Sequence, residues 1–198
     1  MLVTGVGKVN AAVAGATILG EFSPARVINL GTAGALRDGV SGTQVISRVT
    51  QHDLDDAELF NLTGLHFGAP IEFGGTGPTL TTGDDFVSDA TTRNRLAQQA
   101  DLVDMEGYAI AHAAAVAGVP LTIVKQVSDQ AGATAGKSWS ESVDECSAQL
   151  GAWVRANVLK IRSITQQLQS ALPHQVLHYA YPSAARPLRV QVKLRQPS

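Results

Sequence analysis

The sequence predicts an α/β fold, a sheet with helices on both faces, and three observations predict it. Short β-prone runs alternate with Ala-rich or amphipathic helical runs. Residues 27–30 and 121–127 are almost continuously apolar or β-branched, as strands covered on both faces are. Glycine-bearing or acidic segments follow those strands, where open α/β sheets bind ligands. A chain of 198 residues with 44% hydrophobic composition is long enough for one domain with a substantial core.

In chain order, residues 2–4 read as a short strand remnant, and Gly5 and Gly7 as a turn into an Ala-rich helix ending near Gly20. Leu2 and Val9 stand where a P-loop needs Gly and a hydroxyl residue, and Asn10 replaces the third Gly of a dinucleotide fingerprint. The turn's N–H groups at a helix N-terminus suit an anion or polar ligand group, or serve a plain tight turn. Pro24 closes this unit. Residues 27–30 then form a strand leading into a second glycine turn, Gly31, Thr32, Ala33 and Gly34, where backbone can approach a ligand closely.

Residues 45–49 predict a further strand, and residues 50–77 a polar, Gly-rich, solvated loop. Its His52, Asp53, Asp55, Asp56, Glu58 and His66 are loop residues rather than a metal site, since only two imidazoles are at hand. Thr79–Thr82 is β-prone and presents Phe86 just past a strand end, as core or as a stacking surface. Ser88 or Asp89 caps a helix running to Ala100.

Residues 102–131 are the stretch around which the rest is organised. Asp104 caps a helix filled by the Ala-rich residues 109–117 and stopped by Gly118 and Pro120, and residues 121–127 form the next strand. Glu106 falls in the helix's first turn, where the dipole favours an anion, and Asp129 just past the strand's end, so both acids face one cleft. After a small-residue loop, Ser138 with Glu141 forms a capping box opening the last long helix. Its apolar face is Trp139, Val143, Cys146, Leu150, Trp153, Ile161, Ile164 and Leu168. Beyond Ser170, spaced prolines and scattered arginines resemble no packed element. The expected division is a domain at 1–160 and, at 161–198, the end of the last helix with a basic, Pro-containing tail.

The net charge of −2 hides an asymmetry: all 17 acidic residues precede Cys146, while seven Lys or Arg and no acid lie from Cys146 onward. The basic tail carries no nucleic-acid motif, so no nucleic-acid partner is expected. No apolar run reaches the roughly 18 residues of a membrane span, and no signal segment opens the chain, which reads as cytoplasmic with no membrane partner. Cys146 is the single cysteine, which excludes an internal disulfide and a cysteine-rich metal site and fits a buried bystander.

Five motifs in order, Gly5-Val6-Gly7-Lys8-Val9-Asn10-Ala11-Ala12, Asn29-Leu30-Gly31-Thr32-Ala33-Gly34, Thr82-Gly83-Asp84-Asp85-Phe86, Val103-Asp104-Met105-Glu106 and Val127-Ser128-Asp129, resemble the nucleoside phosphorylase superfamily. They are most similar to its hydrolytic branch, the methylthioadenosine/S-adenosylhomocysteine nucleosidases. The resemblance implies a three-layer α/β/α architecture with a central mixed, partly barrel-like sheet, a homodimer, no cofactor or metal, and a purine nucleoside at the strand ends. It implies hydrolysis of the N-glycosidic bond of adenine nucleosides such as 5′-methylthioadenosine or S-adenosylhomocysteine, in nucleoside catabolism and methionine salvage.

The roles it implies make physical sense. Glu106 grips ribose hydroxyls beside an oxocarbenium-like centre. Asp129 serves as general acid or proton relay to the departing purine, oriented by Ser128. Phe86 stacks on the base, Met105 lies against the sugar, Thr32 stands near the attacking water, and Val87 and Gly34 complete the substrate-binding set. The family's water-activating Glu lies upstream of the motif at Gly5, so the resemblance implies hydrolysis impaired by the lack of that group. Two other readings stay open: a phosphate-dependent purine nucleoside phosphorylase, and a non-catalytic nucleoside-binding relative.

Overall fold

A computed structural model describes residues 1–132, 135–159, 174–177 and 192–195. A mixed seven-stranded sheet bends into a half-barrel flanked by helices, with strand order β2-β7-β1-β6-β5-β3-β4. The elements are α1 (Lys8–Phe22), β1 (Val27–Ala35), β2 (Thr43–Val45), β3 (Arg48–Gln51), α2 (Asp56–Thr63), β4 (Ile71–Glu72), β5 (Thr79–Thr82), α3 (Ala90–Leu96), β6 (Leu102–Asp104), α4 (Gly107–Val116), β7 (Leu121–Asp129) and α5 (Ala135–Val154). One π-helical turn, Arg155–Leu159, prolongs α5. Helix α1 packs on α4, α4 reaches β3 and β5, and α5 packs along β7 and β1.

The centre of the sheet is β1 against β7, parallel and paired from Val27 with Leu121 to Gly34 with Asp129. Their apolar, β-branched composition suits burial, and Ile123 and Val124 are fully buried with Val49, Leu80 and Leu102 from neighbouring strands. Parallel pairing needs a crossover, which α2 to α4 and the strands between them supply.

Several expectations are corrected. Gly31 to Gly34 is no turn: β1 runs through it, because both glycines give way to side chains from β7. A Cβ on Gly31 would stand 2.9 Å from Lys125 Nζ, and one on Gly34 3.0 Å from Asp129 Oδ1. Residues 2–4 form no strand. Residues 45–49 are not one strand but the end of β2 and the start of β3, parted at Ile46 and Ser47. The expected loop at 50–77 contains α2, which Asp55 caps by accepting the Glu58 N–H and Gly64 ends in a left-handed conformation at φ 73°. His66 stacks on Phe60 and meets Asp56 Oδ2 at 2.7 Å.

Asp89, not Ser88, caps α3, and that helix stops at Leu96 rather than Ala100. Residues 102–104 are a strand, since β6 slots between β5 and β1. Helix α5 begins at Ala135, upstream of Ser138, so the capping-box pattern falls inside the helix. Cys146 and Leu150 on its apolar side are buried. In the tail, His174–Leu177 pairs antiparallel with Val192–Arg195 as β8 and β9, where the sequence predicts no element. The remainder of 161–198, with Ile161, Ile164 and Leu168, lies outside the described residues.

Candidate active site

The ends of β1, β6 and β7, with the segment that follows β5, border one cavity of about 1020 Å³. Thr32, Gly34, Phe86, Val87, Met105, Glu106, Ser128 and Asp129 all line it, so the residues singled out in the sequence meet in one place.

Asp129 is the last residue of β7, and its carboxylate is held at both oxygens. Oδ2 accepts the Ser128 hydroxyl at 2.7 Å and Oδ1 accepts the Ala131 N–H at 2.8 Å. Ala131 is buried with φ 45°, a left-handed conformation that costs a residue with a Cβ on the order of 1 kcal/mol or more. That strained turn, overlooked in the sequence, aims an amide back at Asp129.

Glu106 stands at the N-cap of α4 rather than in its first turn, and its side chain caps nothing there. Its Oε1 accepts the Gly7 N–H at 2.9 Å, and Lys8 N–H donates to Asp84 Oδ1 at 2.7 Å. The α1 N-terminus, an anion seat in the sequence reading, is thus filled by carboxylates of this chain. The expected stabilisation of the Glu106 anion is also outweighed: burial pushes its pKa above 4.5, the Asp104 charge adds to this, and the Gly7 N–H and Lys125 only partly offset it.

Below Glu106 lies a buried polar network. Lys125 Nζ meets Asp104 Oδ2 at 2.7 Å, both side chains 1% exposed. Asp104 also accepts the Gly107 N–H at 2.8 Å and the Thr82 hydroxyl at 2.6 Å, while Thr82 Oγ1 accepts the Tyr108 N–H at 2.9 Å. The sequence carried one signal for it: a lysine in the middle of an apolar strand must find a carboxylate if that strand is buried.

Phe86 is 49% exposed and lines the cavity, so of its two readings the structure places it at the surface of the cavity rather than in the core. Val87 lines the same cavity from within a buried cluster with Leu36, Leu96 and Val103.

A half-barrel with two carboxylates, a half-exposed aromatic ring and a hydroxyl around one concave site at strand ends has the features of an enzyme site for a small, partly aromatic molecule. The chain belongs to the phosphorylase superfamily, whose model matches residues 1–74 and 76–161. It is a nucleosidase-class enzyme of that superfamily. It is 34% identical to the 5′-methylthioadenosine/S-adenosylhomocysteine nucleosidase of Treponema pallidum, over 69% of this chain and 68% of that one. It is 31% identical to the nucleosidase of the same description from Staphylococcus haemolyticus, over 72% and 73%. Among solved structures, the Neisseria meningitidis 5′-methylthioadenosine/S-adenosylhomocysteine nucleosidase in complex with methylthio-immucillin-A has a TM-score of 0.65 at 27% identity, covering 76% of this chain and 77% of that one. A futalosine hydrolase mutant of Helicobacter pylori shares the fold at a TM-score of 0.68 and 22% identity, covering 83% and 79%.

Proposed function

We propose that this chain hydrolyses the N-glycosidic bond of adenine nucleosides such as 5′-methylthioadenosine or S-adenosylhomocysteine. The observation that carries this reading is the placement of Glu106 and Asp129 around one cavity with the half-exposed ring of Phe86. Phe86 stacks on the purine, and Asp129, oriented by Ser128, supplies a proton to the base as the carbon–nitrogen bond breaks and its electron pair leaves with the purine. Glu106 binds the sugar hydroxyls and stabilises the positive charge growing on the sugar, with Met105 against its apolar face. Water near Thr32 adds to the anomeric carbon and gives up its proton to solvent, leaving free base and free sugar. Val87 and Gly34 shape the wall.

Water rather than phosphate is supported by where the cations go. Lys8 pairs with Asp53, Arg37 with Asp101, Arg48 with Glu72, Arg93 with Asp38 and Lys125 with Asp104. Arg26 lines the cavity from the amino end of β1, eight residues and so about 26 Å from Gly34. The reading extends to a homodimer acting in cytoplasmic nucleoside catabolism and methionine salvage. Exposed Phe60, Leu62, Leu65 and Phe67, on and beside α2, offer apolar surface that a second copy would cover. Among the described residues no helix is long and apolar enough to cross a membrane.

The test is adenine release from 5′-methylthioadenosine with and without added phosphate. Release independent of phosphate is expected. Strict phosphate dependence would make the chain a phosphorylase, and tight binding of adenine without turnover would make it a non-catalytic binder.

A further inference from the structure

A glutamate at the head of a helix ordinarily spends its carboxylate locally. The leading amides of a helix have no partner within it, and a nearby acid is the natural acceptor. At α4 two other side chains do that work: Asp104 Oδ2 accepts from Gly107 and Thr82 Oγ1 from Tyr108. Asp104 can do so because it is itself immobilised, with Oδ1 on the Thr82 hydroxyl and Oδ2 on Lys125 Nζ, inside a pair only 1% exposed. The Lys125 side chain reaches it across β1 at Gly31, its cross-strand partner, where a Cβ would stand 2.9 Å from Nζ.

We propose that the Lys125–Asp104 pair is a positioning device for Glu106: it caps α4 in that residue's place, leaving the Glu106 carboxylate free to face the cavity and the sugar. The pair adds no reacting group. Its cost is the burial of two charges, which a hydrophobic pair would avoid, and its placement under a working carboxylate gives that cost a use. The two members pull the charge of Glu106 in opposite directions, Asp104 against ionisation and Lys125 toward it. The other charged groups bordering this space are Asp129 at the end of β7, Asp84 at the head of α1, Asp85 beside Phe86, Arg26 before the amino end of β1, and the amino group of Met1. The inference rests on the reading of Glu106 as the sugar-holding group.

The experiment titrates the Glu106 carboxyl by carbon NMR in the full chain, with Glu106→Gln identifying its resonance, alongside adenine release from 5′-methylthioadenosine. Asp104→Asn should lower the titration midpoint and Lys125→Met should raise it. Both should lower kcat/KM about tenfold or more, as misplacement of a binding group does. Opposite shifts show that both charges act at Glu106, and a purely structural pair would give those shifts with the kcat/KM of the folded variants unchanged. The double variant leaves no unpaired charge, so it decides the matter if either single variant fails to fold: turnover well below wild type is expected. Midpoints that stay put or shift together, or a double variant with wild-type kcat/KM, would overturn the proposal. A wild type that releases no adenine would sink the proposed reaction instead, and the positioning role would then stand if both single variants weaken calorimetric binding of 5′-methylthioadenosine and fall if they do not.

Discussion

Glu106 Oε1 accepts the backbone N–H of Gly7 at 2.9 Å, tying the head of α1 to the head of α4 across 99 residues of sequence. Gly7 itself has φ 95°, a conformation that favours glycine, and so presents its amide where a side-chain-bearing residue would be strained. The contact fixes the Glu106 carboxylate at the border of the cavity.

Glu106→Gln keeps an acceptor for Gly7 but removes the charge that faces the developing cation. Adenine release from 5′-methylthioadenosine should fall by about 10²-fold or more, as when an electrostatic partner of a transition state is lost. Steady-state kinetics on the folded variant checks this, and an unchanged rate would remove Glu106 from the mechanism.

The same substitution should make the protein more stable at neutral pH. The folded-state pKa of Glu106 is raised by burial first and by Asp104 second, so its favourable contribution is present below 4.5 and lost as pH rises through the folded value. Melting curves of wild type and Glu106→Gln should therefore coincide best at acid pH and separate in the variant's favour as pH rises. A variant less stable than wild type at pH 7 would contradict a raised Glu106 pKa.

Asp129→Asn retains an oxygen for the Ala131 N–H but has no proton to pass to the base. Loss of general-acid help is worth about 10² to 10⁴ in rate. A substrate with a purine that departs readily without protonation should lose much less, so comparing two leaving groups separates proton transfer from simple binding.

Phe86→Ala should cost little stability, because the ring is half exposed. Its stacking on a base should be worth about 1–3 kcal/mol in affinity. Calorimetric titration with adenine should show binding weakened by about tenfold or more, with the melting temperature nearly unchanged. A large drop in melting temperature instead would mark Phe86 as core.

Much of the site was legible in the residues, and the manner of its assembly was not. Asp129 falls at a strand end because the mostly apolar, β-branched run 121–127 precedes it, and a buried strand has few other ways to end than in polar residues at the sheet's rim. Phe86, Glu106 and Asp129 could be grouped by motif order, which depends only on local sequence. Local pattern also reveals β5 in full and the first four residues of β1, since β-branching and apolar runs are properties of a few consecutive residues. What tertiary structure decided is what depends on contacts distant in sequence. Gly31 and Gly34 look like a turn in isolation, and are strand because Lys125 and Asp129 on β7 need the space. Residues 102–104 are too short to announce a strand, and become one only when β5 and β1 supply partners on both sides. The N–H groups at the head of α1 look open to any anion, and are filled because the fold carries Asp84 and Glu106 to them. The charge of Glu106 follows the same rule: a helix dipole alone would lower its pKa, but burial beside Asp104 raises it, and burial is known only once the chain has folded.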